Sequence, residues 1–378
     1  MWGDGMGASV ACDHGHYNPE MPAFTLLPLL AVSALLALAM AAIMLFAGQA
    51  VPQLAAHIAF GLGVMPLILG AMSYFIPVLT RSAGPGWAAW APPLLAWSGG
   101  FLAVFAFATE FSAGILGLGA ALGGFSALSL MIWTLARARR MFGPRHRGLD
   151  WYLAALGFLL LALLAVLAMP MFPAQRGGLR LFHLHANMLG FVGLTALGTL
   201  QVLLPTCLGQ PDPDAALRLR QDIKWAALGA LLISVGASSL LPGSSSVTGA
   251  PLALLGALLY AIVVLRMLRA WQSRFGKALL RIHGAAASLV AAAAGLLGLL
   301  LLGALHGFGA IPARPAIAGF VIAFLLPLVS GAVAQLLPVW LRPGGQGEWH
   351  RVLRSRLCRW GGVRGLILLL LGLIVTIH

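Results

Sequence analysis

Of the ten histidines in this 378-residue chain, three stand where metal or cofactor chemistry could use them. His183 and His185 head the apolar stretch RLFHLHANMLGFVGLTALGTLQVLLP (180–205), and His57 heads a similar one. Neutral imidazole ligates haem iron, copper or zinc through one ring nitrogen, and in apolar surroundings it needs such a partner or a hydrogen bond. Two positions along a helix are about 200° of rotation. His183 and His185 therefore point to opposite sides and do not share one small ion. That suits two planar cofactors flanking the helix, or one cofactor plus a polar contact; the plainer reading is a set of interfacial histidines bonded to backbone or water.

The spacing around these residues recurs. From His185 it is 13 residues to Gly198 and 20 to Pro205. The same intervals separate His57 from Gly70 and Pro77, and Ala318 from Gly331 and Pro338. Recurrence at 128 and 133 residues implies three related blocks, the third without its histidine.

The elements that carry these positions follow from composition. With 61% hydrophobic and 8% charged residues and a mean hydropathy of +0.96, the chain cannot present the polar surface of a soluble domain. Hydrocarbon about 30 Å thick takes roughly 20 apolar residues per helix. Eleven such stretches begin near Ala23, Val51, Trp87, Ser112, Asp150, Arg180, Lys224, Thr248, Lys277, Pro312 and Gly361. Lipid offers backbone amides no partner, so an all-α polytopic transmembrane helix bundle is expected. Residues 1–22 form an N-terminal tail and 23–378 a single transmembrane domain, with repeat blocks 23–149, 150–276 and 277–378. The blocks hold four, four and three spans, packed pseudo-symmetrically with the last helix missing. The tail carries no basic cluster ahead of the first apolar run, so no cleaved signal peptide is expected.

Net charge +14 could suggest nucleic acid. The basic residues, however, lie in short loops between spans, at 136–148, 266–281 and 342–364, which places those loops in the cytoplasm. The N-terminus is then cytoplasmic. Twenty residues at 1.5 Å each make about one membrane thickness, so His57, His183 and His185 lie near the outer face, and His306 at the end of span nine reaches the same level. Arg176, Arg180 and Arg314 stand on that outer side against the charge pattern. Guanidinium is a bidentate partner for carboxylates such as haem propionates, and equally an interfacial residue reaching for water. Cys12, Cys207 and Cys358 form no CxxC pair and no disulfide framework; Cys12, His14 and His16 could hold copper or zinc, but no fourth ligand accompanies them.

HLHANMLG followed by a glycine and LLP resembles the haem-binding tenth span of the catalytic subunit of the haem-copper oxidase superfamily, and GAMSYFIP (70–77) is similar to the end of its second span. The resemblance implies three four-helix arcs and haem ligation by His57 with one of His183 and His185. The chain departs from that family in lacking a histidine in span seven, hence the copper-binding pair, and any acidic residue at mid-membrane. Oxygen reduction with proton pumping is not expected. In size, span number and histidine-bearing spans the chain looks like the NnrS family of haem- and copper-associated bacterial membrane proteins of nitric oxide stress.

The resemblance implies a bacterial inner-membrane protein that binds one or two haem b groups, with copper a further candidate metal. Such a protein would bind or process nitric oxide or another small diatomic, or relay electrons to a redox partner protein or quinol. His57, His183 and His185 would be metal ligands, and His306, Arg176, Arg180 and Arg314 further cofactor contacts. Two other classes fit the same residues: a metal or small-solute transporter, whose internal repeats suit alternating access, and a degenerate assembly subunit of a respiratory complex.

Overall fold

The computed structural model describes residues 23–47, 52–109, 113–141, 143–238, 246–307 and 316–377. These residues are predominantly helical, with no strand among them. In chain order the long helices are α1 (Ala23–Phe46), α2 (Pro52–Leu79), α3 (Ala91–Ala108), α4 (Ala113–Arg139) and α5 (Gly148–Ala168). Then follow α6 (Pro173–Leu208), α7 (Ala215–Ser238), α8 (Ser246–Phe275), α9 (Ala285–Gly307), α10 (Ala316–Leu341) and α11 (Gly361–Ile377).

Ten helices among the described residues are long and apolar enough to cross a membrane, against the eleven expected. The difference is α7. It begins at Ala215, nine residues before the expected start at Lys224, and its first turns carry Arg218, Arg220 and Asp222. Asp222, expected in a loop, is thus inside a helix and fully buried. Arg266 of α8 answers it, Nη1 to Oδ1 3.1 Å.

The three marked helices share a local distortion. In α2, α6 and α10 the α-helix gives way to a π-helical segment at Ile58–Val64, Ala186–Gly193 and Phe320–Leu325. Each begins one or two residues after the recurring position, His57, His185 or Ala318. A π segment widens the turn and leaves carbonyls without their usual partners; one of them, Leu189 O, accepts the Tyr260 hydroxyl at 2.9 Å. The matched glycines also pack alike. A Cβ on Gly70 would meet Leu30 of α1 at 2.8 Å, one on Gly198 would meet Trp151 of α5 at 2.7 Å, and one on Gly331 would meet Leu289 of α9 at 3.0 Å. In every block the second helix lays its glycine against the first.

Neighbouring helices pack in sequence, α3 on α4, α5 on α6, α7 on α8 and α9 on α10, with α11 returning to α9, while α1 closes the bundle against α10. Phe60 of α2 meets Phe320 of α10 with ring centroids 5.9 Å apart. Because the helices alternate in direction, the starts of α2, α6 and α10 gather at one end of the bundle, the histidine end. The arginine-rich ends of α4 and α8 gather at the other.

Candidate functional site: a histidine-lined cavity between α2 and α6

A cavity of about 600 Å³ opens between α2 and α6 and is walled on its other sides by α3, α4 and α5. His57 and His183 both line it. Their ring centroids lie 6.4 Å apart and their planes within 12° of parallel. Phe107 of α3 backs His57, with ring centroids 4.6 Å apart.

Each ring is held by a carbonyl at Nδ1. His57 Nδ1 donates to Gln53 O on its own helix at 2.7 Å, and His183 Nδ1 donates to Ala162 O of α5 at 2.9 Å. A carbonyl can only accept, so both Nδ1 atoms carry the proton and both Nε2 atoms keep a lone pair. The Asn187 amide lies 3.3 Å from His183 Nδ1, but that nitrogen has no lone pair left; the amide donates instead to the His183 carbonyl at 3.2 Å. Neither Nε2 has a hydrogen-bond partner among the described residues. A neutral imidazole oriented by a backbone carbonyl, with its other nitrogen free, is the usual posture of a metal-bound histidine.

The walls are apolar and thin. Gly61, Gly99, Gly100 and Gly119 line the cavity together with Phe60, Met188 and Phe191. These glycines bring the helices together: Gly100 abuts the Gly61 carbonyl, and a Cβ on Gly99 would fall 2.6 Å from Gly119 O. Arg176 and Arg180 stand at the rim, exposed to solvent, and neither has a carboxylate partner among the described residues.

The other expected site residues lie apart. His185 is outside the cavity lining, and its Nδ1 bonds Leu181 O at 2.8 Å, the same four-residue backward reach that His57 makes to Gln53. His306 ends α9 and does not line the cavity either. Arg314, Cys12, His14 and His16 lie outside the described residues. Ala318 is buried, with its neighbour Ile317 on the cavity wall. Among the described residues no group of three or more His, Cys, Asp or Glu comes together. The sequence reading missed Asn187, Phe107, the Ala162 carbonyl and the glycine wall; only the Gly61 and Gly99–Gly100 positions left a visible trace, as glycines at helix midpoints.

The chain has no match among family models, curated proteins or solved structures. The geometry therefore defines a class only: a polytopic helical membrane protein with a paired-histidine cavity at one end.

Proposed function

We propose that the chain is a haem b protein of the bacterial inner membrane, related to the haem-copper oxidase superfamily and of the NnrS type, that relays electrons. The observation that carries this reading is the His57–His183 pair. Two imidazoles bound to one metal at about 2 Å each, with ring centres roughly another ångström behind the nitrogen, have centroids about 6 Å apart. The 6.4 Å between the two centroids matches that span.

The remaining features of the cavity suit the same group. A cavity of about 600 Å³ is within the range for cofactor sites, roughly 300–1,000 Å³. A bare zinc ion takes three or four protein ligands, and the described lining offers two imidazoles with no thiolate or carboxylate. Haem would ask the protein for only one or two ligands, which His57 and His183 would supply. Arg176 and Arg180 supply the unpaired cations that two propionates require. His57 and His183 would hold the iron, and the apolar wall would exclude water from it.

Bis-imidazole haem supplies one-electron chemistry. With both His57 and His183 engaged as its ligands, haem would supply electron transfer rather than diatomic binding, which favours relay to or from a partner protein or quinol over nitric oxide processing. His57 and His183 orient the ligand nitrogens through Gln53 and Ala162, and Arg176 and Arg180 set the charge at the rim. Chain purified from cells supplied with a haem precursor should show a Soret band and sharp bands after dithionite reduction. A colourless preparation that also fails to take up added haemin would overturn the proposal.

A further inference from the structure

At the opposite, arginine-rich end a second cavity of about 510 Å³ lies between the end of α2 and the end of α4. Arg81, Arg137 and Arg140 line it with Thr80, Ser82 and Trp133, and no acidic side chain does. Arg137 is fixed. Its guanidinium lies over the Trp133 ring, 4.5 Å from the centroid, and donates to Ser82 Oγ, to Ala83 O at 2.7 Å and to Gly84 O at 3.4 Å. Thr80 Oγ1 lies 2.8 Å from Ser82 Oγ and ties the same turn from behind.

Arg81 enters the cavity from a left-handed backbone, φ +51°, a conformation that few non-glycine residues adopt and that gathers at functional sites. Neither Arg81 nor Arg140 has a carboxylate among the described residues; the nearby Asp150 is engaged by Arg145 at 2.9 Å and Arg147 at 3.7 Å. Three cations thus share a hollow with hydroxyls and an aromatic face, and no carboxylate among the described residues pairs with them. The exposed apolar residues Val78 and Ile132 precede this ring on the two helices and give acyl chains a surface beside it.

We propose that this cavity binds a phosphate-bearing anion, its oxygens taken by Arg81, Arg140 and the free N–H groups of Arg137. Basic hollows between membrane helices hold phospholipid head groups in this way, and inorganic phosphate presents the same oxygens. The site is independent of the histidine cavity at the other end.

The test uses the full chain in detergent, as wild type and as the double variant Arg81→Gln, Arg140→Gln, which keeps the Arg137 lacing and should melt at an unchanged temperature. Native mass spectrometry follows retention of phosphatidylglycerol and cardiolipin against phosphatidylcholine. Thermal shift follows inorganic phosphate against chloride at matched ionic strength. Anionic lipid retained by wild type and bound roughly tenfold or more weakly by the variant supports a lipid head group. A phosphate-specific shift lost in the variant, without lipid retention, supports a soluble source. Equal binding by wild type and variant in both arms, or no preference for phosphate in either, overturns the proposal.

Discussion

His57 and His183 face each other across one cavity with ring centroids 6.4 Å apart, although it is His185, not His183, that occupies the position matching His57 in the repeat. The repeat correspondence survives in the backbone: His57 and His185 make the same bond to the carbonyl four residues back, at 2.7 and 2.8 Å. His183 instead reaches α5 through Nδ1, which leaves its Nε2 without a partner among the described residues. The spatial partner is thus a residue outside the repeat register.

If Arg176 and Arg180 hold propionates, replacing both by glutamine removes the charge-assisted bonds and should weaken haem retention by roughly tenfold or more. Haem transfer to apomyoglobin, followed by absorbance, measures this. The paired lysine variant should fall between, since lysine keeps the charge and loses the bidentate fork. Transfer rates equal to wild type in the glutamine variant would remove these arginines from the site.

Gly198→Ala should destabilise the bundle by about 1–3 kcal/mol, because the added methyl overpacks a rigid contact. Its Cβ would fall 2.7 Å from Trp151 Cβ, and Trp151 cannot yield, being fully buried and bonded through Nε1 to Leu219 O at 2.9 Å. Gly157→Ala on α5 is the control: nothing lies within 4 Å of its added Cβ, so helix propensity makes it neutral or mildly stabilising. Detergent thermal melts of the two variants should diverge, and equal melting would contradict the packing account.

His146, in the loop before α5, gives a pH signature. Its Nδ1 accepts the Gly148 N–H at 3.0 Å, and burial pushes its pKa below the usual 6.5. Above pH 6.5 the ring is neutral folded and unfolded, and its stability contribution is whole. As pH falls below 6.5 the unfolded chain takes up a proton that the folded chain resists, so stability declines until the folded pKa is reached. Melting temperature should drop from pH 7.5 to 5 less steeply in His146→Asn than in wild type; parallel curves would exclude this residue as a source of the slope.

Much of the architecture was legible in the sequence. Apolar length gave ten of the eleven expected spans, and the recurring intervals marked Gly70, Gly198 and Gly331, which pack against the first helix of each block. The start of α7 was not legible, because hydropathy cannot detect a helix whose first turns are charged and whose one buried carboxylate, Asp222, is matched by Arg266 from another helix. His57 stood out in the sequence and lines the cavity. The choice between His183 and His185 was not legible: both head the same stretch, and what decides it is the tertiary bond from His183 to Ala162, 21 residues earlier. The π segments that follow each marked position also left no residue signature, since widening a helical turn depends on which carbonyls find outside partners, as Leu189 finds Tyr260.

The most direct test of the paired-histidine site is the visible spectrum, oxidised and dithionite-reduced, of wild type beside His57→Ala, His183→Ala and His185→Ala at equal protein concentration. The account predicts a six-coordinate bis-imidazole spectrum in wild type and His185→Ala, and its loss or conversion to a high-spin form in His57→Ala and His183→Ala. A wild type without haem, or a spectrum that survives His183→Ala and disappears in His185→Ala, would contradict it.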